Sequence, residues 1–119
     1  ISGEVKKVDV ATGDILDKTY LGDEKAKPMG ILMSPDRSKL YVAGGRAAKV
    51  FVLDAKQLKV LEAIPVGKRT WGLALSADGS RLFTTDGPDH QVSVIDTSTN
   101  EVVKTVKVGK FPWGVVIDD

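Results

Sequence analysis

The chain has 119 residues, 42% hydrophobic and 28% charged, a globular composition of about one domain's length. Seventeen basic residues against sixteen acidic ones leave a net charge of +1, without the basic excess that a phosphate backbone requires, so nucleic acid is not an expected partner. The absence of cysteine excludes disulfides, thiolate nucleophiles, iron–sulfur clusters, covalent haem and cysteine-ligated zinc.

Taken in chain order, the predicted elements are all strands. Residues 5–9 and 15–21 flank a turn at Ala11-Thr12-Gly13-Asp14, and a connection through Pro28 leads to a short apolar run at 31–34. Strands follow at 40–43, 50–54 and 60–66, then at 73–76 and, beyond the hairpin dipeptide Asp78-Gly79, at 82–85. After Gly87-Pro88 come 92–96, a turn at Ser98-Thr99-Asn100, 102–108 and a last apolar run at 115–117. No window has a helical period. The longest apolar runs are only a few residues, too short for a membrane span, and no secretory signal precedes the first strand. With Ile1 at its start, the sequence reads as a processed product or a piece of something longer.

These elements repeat. Asp54 and Asp96, Gly67 and Gly109, and Gly72 and Gly114 are each 42 residues apart, and the segment 76–82 answers 34–40 at the same distance. The stretch from Val5 to Gly22 matches Val92 to Gly109, with three extra residues in the connection between Gly22 and Gly30. Insertions in repeats fall in loops, so that connection is expected on the surface. Four strands per period of 42 is the arithmetic of a β-propeller blade. The sequence therefore predicts an all-β fold of about 2.8 four-stranded antiparallel blades in one partial domain, 1–119. Residues 1–29 would be the outer two strands of one blade with a connecting loop, 30–71 and 72–113 full blades, and 114–119 the innermost strand of a last one. Closed rings use roughly four to eight blades. Completion is thus expected either from the rest of a longer chain or from further copies, with protein partners across the open blade faces.

The string from Val92-Ser93-Val94-Ile95-Asp96-Thr97 through Val106-Lys107-Val108-Gly109-Lys110-Phe111-Pro112-Trp113-Gly114, with Ser76-Ala77-Asp78-Gly79 before Leu82-Phe83, resembles the YVTN-type β-propeller repeat. The naming tetrapeptide is degenerate, as Tyr41-Val42-Ala43-Gly44 and Phe83-Thr84-Thr85-Asp86. The resemblance implies an exported protein, periplasmic or at the cell surface, similar to the non-catalytic propellers associated with pyrroloquinoline-quinone-linked alcohol oxidation.

Trp71, Trp113 and Met29 share one repeat position, immediately before a glycine. Packing between blades explains them; the sharper reading is a channel mouth where the indoles stack on a planar ligand, with Lys68, Arg69 and Lys110 as a cationic rim for a small anionic ligand. Asp86, Asp89 and His90 read as a polar cluster in a surface loop, with metal ligation completed from elsewhere as the alternative. Asp9, Asp54 and Asp96 end equivalent strands and read as Asx-turn caps. Ser34, Ser76 and Ser80 have no paired base, because His90 is the only imidazole. No catalytic constellation, cofactor site or metal site is evident, so the expectation is a non-enzymatic binding scaffold, and the resemblance implies a place for it in a quinone-linked periplasmic oxidation system. The rivals are a propeller subunit of a periplasmic oxidoreductase with its ligands on other blades, and a structural surface repeat.

Overall fold

The structure, a computed structural model, describes residues 3–119. Ten strands form in three antiparallel sheets: β1 (Glu4–Val8) with β2 (Ile15–Tyr20); β3 (Gly30–Met33), β4 (Lys39–Ala43), β5 (Lys49–Asp54) and β6 (Val60–Pro65); and β7 (Thr70–Leu75), β8 (Arg81–Asp86), β9 (Gln91–Asp96) and β10 (Glu101–Lys107). The one helical element among the described residues is a 3-10 turn at Gly87–Asp89. No helix among them is long and apolar enough to cross a membrane. Each four-stranded sheet is a meander, its strands lying side by side in sequence order, as short connections favour.

The sheets stack face to face, and β5 shows why. Successive side chains in a strand point to opposite faces. Phe51 and Leu53 pack with Val5, Leu21, Leu40, Val42 and Leu58, against the β1–β2 sheet. Val50 and Val52 pack instead with Tyr41, Ile64, Leu82 and Ile95, against the β7–β10 sheet. A strand buried on both faces needs the unbroken apolar run Val50-Phe51-Val52-Leu53 found here. The far face of the last sheet has no such cover, and Phe83, Val92 and Val94 are only half-buried.

The sheets approach most closely at their first strands. A Cβ on Gly30 would lie 3.0 Å from the Trp71 carbonyl oxygen, and one on Gly72 would lie 2.8 Å from that of Trp113. Glycine therefore recurs with the 42-residue period because each inner strand touches the backbone of the next copy. Residues 114–119, expected as an innermost strand, have no strand partner in this chain and run beside the β7–β10 sheet. There the Thr85 hydroxyl donates to the Trp113 carbonyl at 3.2 Å, and the Ala77 amide donates to the Asp119 carboxylate at 2.9 Å. The sheets do not close into a ring. The outermost hairpins are bulged at equivalent places, leaving Leu16, Leu61 and Val103 out of register and exposed.

Candidate functional site

An antiparallel meander places alternate connections at opposite ends. One end carries the turns after β1, β3, β5, β7 and β9; the other carries the connections after β2, β4, β6, β8 and β10. At the first end the repeated aspartates are spent on the turns. Asp9, Asp54 and Asp96 each accept from amides two or three residues on, at 2.7–3.0 Å. Asp36 and Asp78 are wrapped by Ser34 and Ser38, and by Ser76 and Ser80, and a recess of about 300 Å³ there is lined by these already engaged groups. Ser34, Ser76 and Ser80 are thus turn formers.

The second end has free polar groups. Two adjoining concavities lie there. The smaller, about 240 Å³, is lined by Lys27, Met29, Gly45, Arg46, Arg69 and Trp71. The larger, about 490 Å³, is lined by Arg46, Ala48, Lys68, Arg69, Pro88 and Phe111. Arg46 and Arg69 belong to both, and no carboxylate lines either. The three ion pairs formed among the described residues, Lys6–Glu4, Lys49–Asp23 and Arg81–Asp96, leave these four cations out. One carboxylate is close: Asp89 accepts the backbone amide of Lys68 at 2.7 Å. Just before three of the strands that rise from this end, Ala48, Arg69 and His90 take left-handed backbone angles, with φ of 55°, 48° and 54°. Side chains with a Cβ disfavour that region, so the chain holds Arg69 at the rim in a conformation that glycine would adopt without strain.

The expected site residues separate into groups. Lys68, Arg69 and Trp71 come together at this end. Trp113 is 68% exposed but stacks on Trp71, with ring centroids 4.1 Å apart and planes 15° from parallel. That is contact distance, so no planar ligand fits between the indoles, and their contact holds the segment after β10 against β7. Lys110 is exposed and outside both recesses. His90 accepts the Phe111 amide on Nδ1 at 3.1 Å and meets the Phe111 ring edge-on. Asp86 is not in the surface loop. It ends β8, is 0% exposed, and accepts from the hydroxyls of Thr70 and Thr84 at 3.0 Å each, from Ser93 at 2.5 Å and from the Gln91 amide at 3.2 Å. Such saturation makes Asp86 a structural tie, and among the described residues no three carboxylates or imidazoles come together as a metal-binding group. Sequence reasoning missed Arg46, although the Gly44-Gly45 pair before it marks a connection equivalent to 86–90.

Stacked antiparallel four-stranded sheets whose first strands converge, with a cationic and aromatic surface at one end of the sheets, define a protein of β-propeller type, here with its sheets unclosed. Within that class, residues 2–112 match the glutamine cyclotransferase family, and the chain belongs to it. Among solved structures, the chain is similar to hydrazine synthase of Kuenenia stuttgartiensis, with 30% identity and a TM-score of 0.74 over 81% of this chain and 27% of that one. It is also similar in fold to U3-55K, with 22% identity and a TM-score of 0.75 over 92% of this chain and 35% of that one. The chain thus spans only about a quarter to a third of these proteins. No curated protein matches it.

Family membership corrects two expectations. The resemblance to YVTN-type repeats and quinone-associated propellers is overturned, because the matching family is a different one. The expectation of a non-enzymatic scaffold, with its oxidoreductase-subunit and surface-repeat rivals, falls with it, since a cyclotransferase family is a family of catalysts. The physical reason is that the repeated strand-and-turn string encodes blade packing, which unrelated activities share.

Proposed function

We propose that this chain is part of a β-propeller enzyme that cyclises glutamine, working at the end that carries Arg46, Arg69, Met29 and Trp71. The match of residues 2–112 to the glutamine cyclotransferase family is the observation that carries this reading. Two four-stranded sheets and one two-stranded sheet fall short of the roughly four blades a ring needs. In this proposal the remaining blades come from further sequence or a partner chain, against β1 on one side and the β7–β10 face on the other.

Cyclotransfer of an amino-terminal glutamine is an intramolecular acyl transfer. The α-amino nitrogen attacks the side-chain carboxamide carbon, the carbonyl oxygen takes up negative charge, and the bond to the amide nitrogen then breaks. Ammonia leaves, carrying the proton that the attacking amine gives up. Nucleophile and electrophile share one molecule, so the protein's tasks are to hold the substrate curled and to meet the developing oxyanion with positive charge. The smaller recess suits both. Met29 and Trp71 give an apolar wall for the aliphatic part of the side chain, and Arg46 and Arg69 supply charge. The same cations favour the uncharged form of the attacking amine.

The test is ammonia release from an amino-terminal glutaminyl peptide by the assembled protein, with mass spectrometry of the lactam product. Conversion faster than the spontaneous reaction, reduced about tenfold to a hundredfold by Arg46→Gln, is expected. Conversion no faster than in buffer refutes the reading.

A further inference from the structure

We propose that the larger recess holds the residue after the glutamine and selects for a carboxylate on it, so that the substrates are peptides acidic at their second position. The inference rests on the proposed cyclase activity and adds to it a substrate class. Three observations converge. The two recesses adjoin and share Arg46 and Arg69, so a substrate seated in one extends directly into the other. The larger recess adds Lys68, and three cations with no lining carboxylate and no internal ion-pair partner are uncompensated except for Asp89, which is engaged by the Lys68 amide. Its remaining walls, Ala48, Pro88 and Phe111, are apolar and offer no competing acceptor side chain.

A cationic pocket of this kind acts through differential affinity: it attracts an acidic side chain and repels a basic one. Since Lys68 and Arg69 are exposed, the attraction is moderate and screened by salt.

The experiment compares kcat/KM of the assembled protein for the amides of Gln-Glu, Gln-Ala and Gln-Lys, with the free acid of Gln-Ala to tell a terminal from a side-chain carboxylate. Gln-Glu amide should exceed Gln-Lys amide by about tenfold or more, with the gap shrinking as salt is raised. Lys68→Glu, at an exposed position, should abolish or invert that order. Arg69→Gly should lower the ratio while unfolding at the same or a higher temperature. Equal rates for all amides, or a ratio unmoved in Lys68→Glu, would overturn the inference and leave the cyclase reading standing. If none is cyclised, that reading fails, and tryptophan-fluorescence titration with the same peptides decides the inference without turnover. Tighter binding of Gln-Glu amide supports it, and equal or undetectable binding overturns it.

Discussion

The sheets β3–β6 and β7–β10 are two copies of one unit, yet they fill the same interior space with opposite chemistry. In the first, Gly44 directly follows the second strand and the Phe51 ring lies over it: a Cβ on Gly44 would sit 2.6 Å from Phe51 Cε2, and Val42 is the buried neighbour. Forty-two residues later the same three positions are Asp86, Ser93 and Thr84, and the space holds a carboxylate with four hydrogen-bond donors around it. The blade geometry tolerates either filling because each is complete, an apolar plug without voids or a polar one without unpaired groups. The difference also has a location. Asp86 bonds Thr70, which follows Arg69, and itself precedes the 3-10 turn at Gly87–Asp89. The polar plug therefore ties together the bases of the loops that line the larger recess, whereas Phe51 only packs.

The largest effect is expected from emptying the apolar plug. Phe51→Ala should cost about 3–5 kcal/mol in denaturant unfolding, the range for a buried phenylalanine that leaves a cavity. Asp86→Ala comes next, at about 2–3 kcal/mol, because it strands buried hydroxyl and amide donors. It should also blunt the discrimination between Gln-Glu and Gln-Lys amides by loosening residues 67–70 and 87–90. Interchangeability of the two fillings is tested by converting the second into the first with Thr84→Val, Asp86→Gly and Ser93→Phe together. That triple variant should be more stable than Asp86→Ala, a non-additive result diagnostic of residues sharing one space. A triple variant less stable than the single one would show that the sheets are not equivalent in backbone.

This contrast also explains what the sequence made legible. Strand positions, turn types and the cap role of Asp9, Asp54 and Asp96 could be read because their residues recur at fixed offsets, and repetition is a packing signal. Asp86 could not, since its partner in the preceding copy is Gly44 and the pair has no common chemistry to reveal a shared interior position. Beside Gly87, Pro88, Asp89 and His90 it looks like loop. Arg46 stayed hidden for the related reason that its counterpart one period on is Pro88, which shares no chemistry with it. Activity was the least legible. Of the residues that line the two recesses, Gly45 and Lys68 recur one period on as Gly87 and Lys110, and Met29 is answered by Trp71, whereas Arg46 and Arg69 are answered by Pro88 and Phe111, so a reading guided by the repeat found the scaffold and passed over Arg46.

The smallest effect concerns the end where the two sheets are alike. Asp36 is lowered from 3.8 to about 2 by the Ser34 hydroxyl first and then by the Ser38 amide and hydroxyl. Asp78 is lowered from 3.8 to about 2 by the Ser80 amide and hydroxyl and by the Ser76 hydroxyl. A carboxylate whose pKa is depressed on folding contributes stability above its unfolded value and loses it as pH falls through the folded one. Thermal unfolding temperature should therefore drop as pH is taken from about 4 to about 2, with Asp9, Asp23 and Asp96, also lowered, adding to the slope. Asp36→Asn and Asp78→Asn should each flatten that slope by a similar small amount, because both carboxylates are exposed and each bonds its own turn alone. A large difference between the two variants would mean that one turn bears load the other does not, and the likeness of the two sheets at this end would then be one of shape without one of energy.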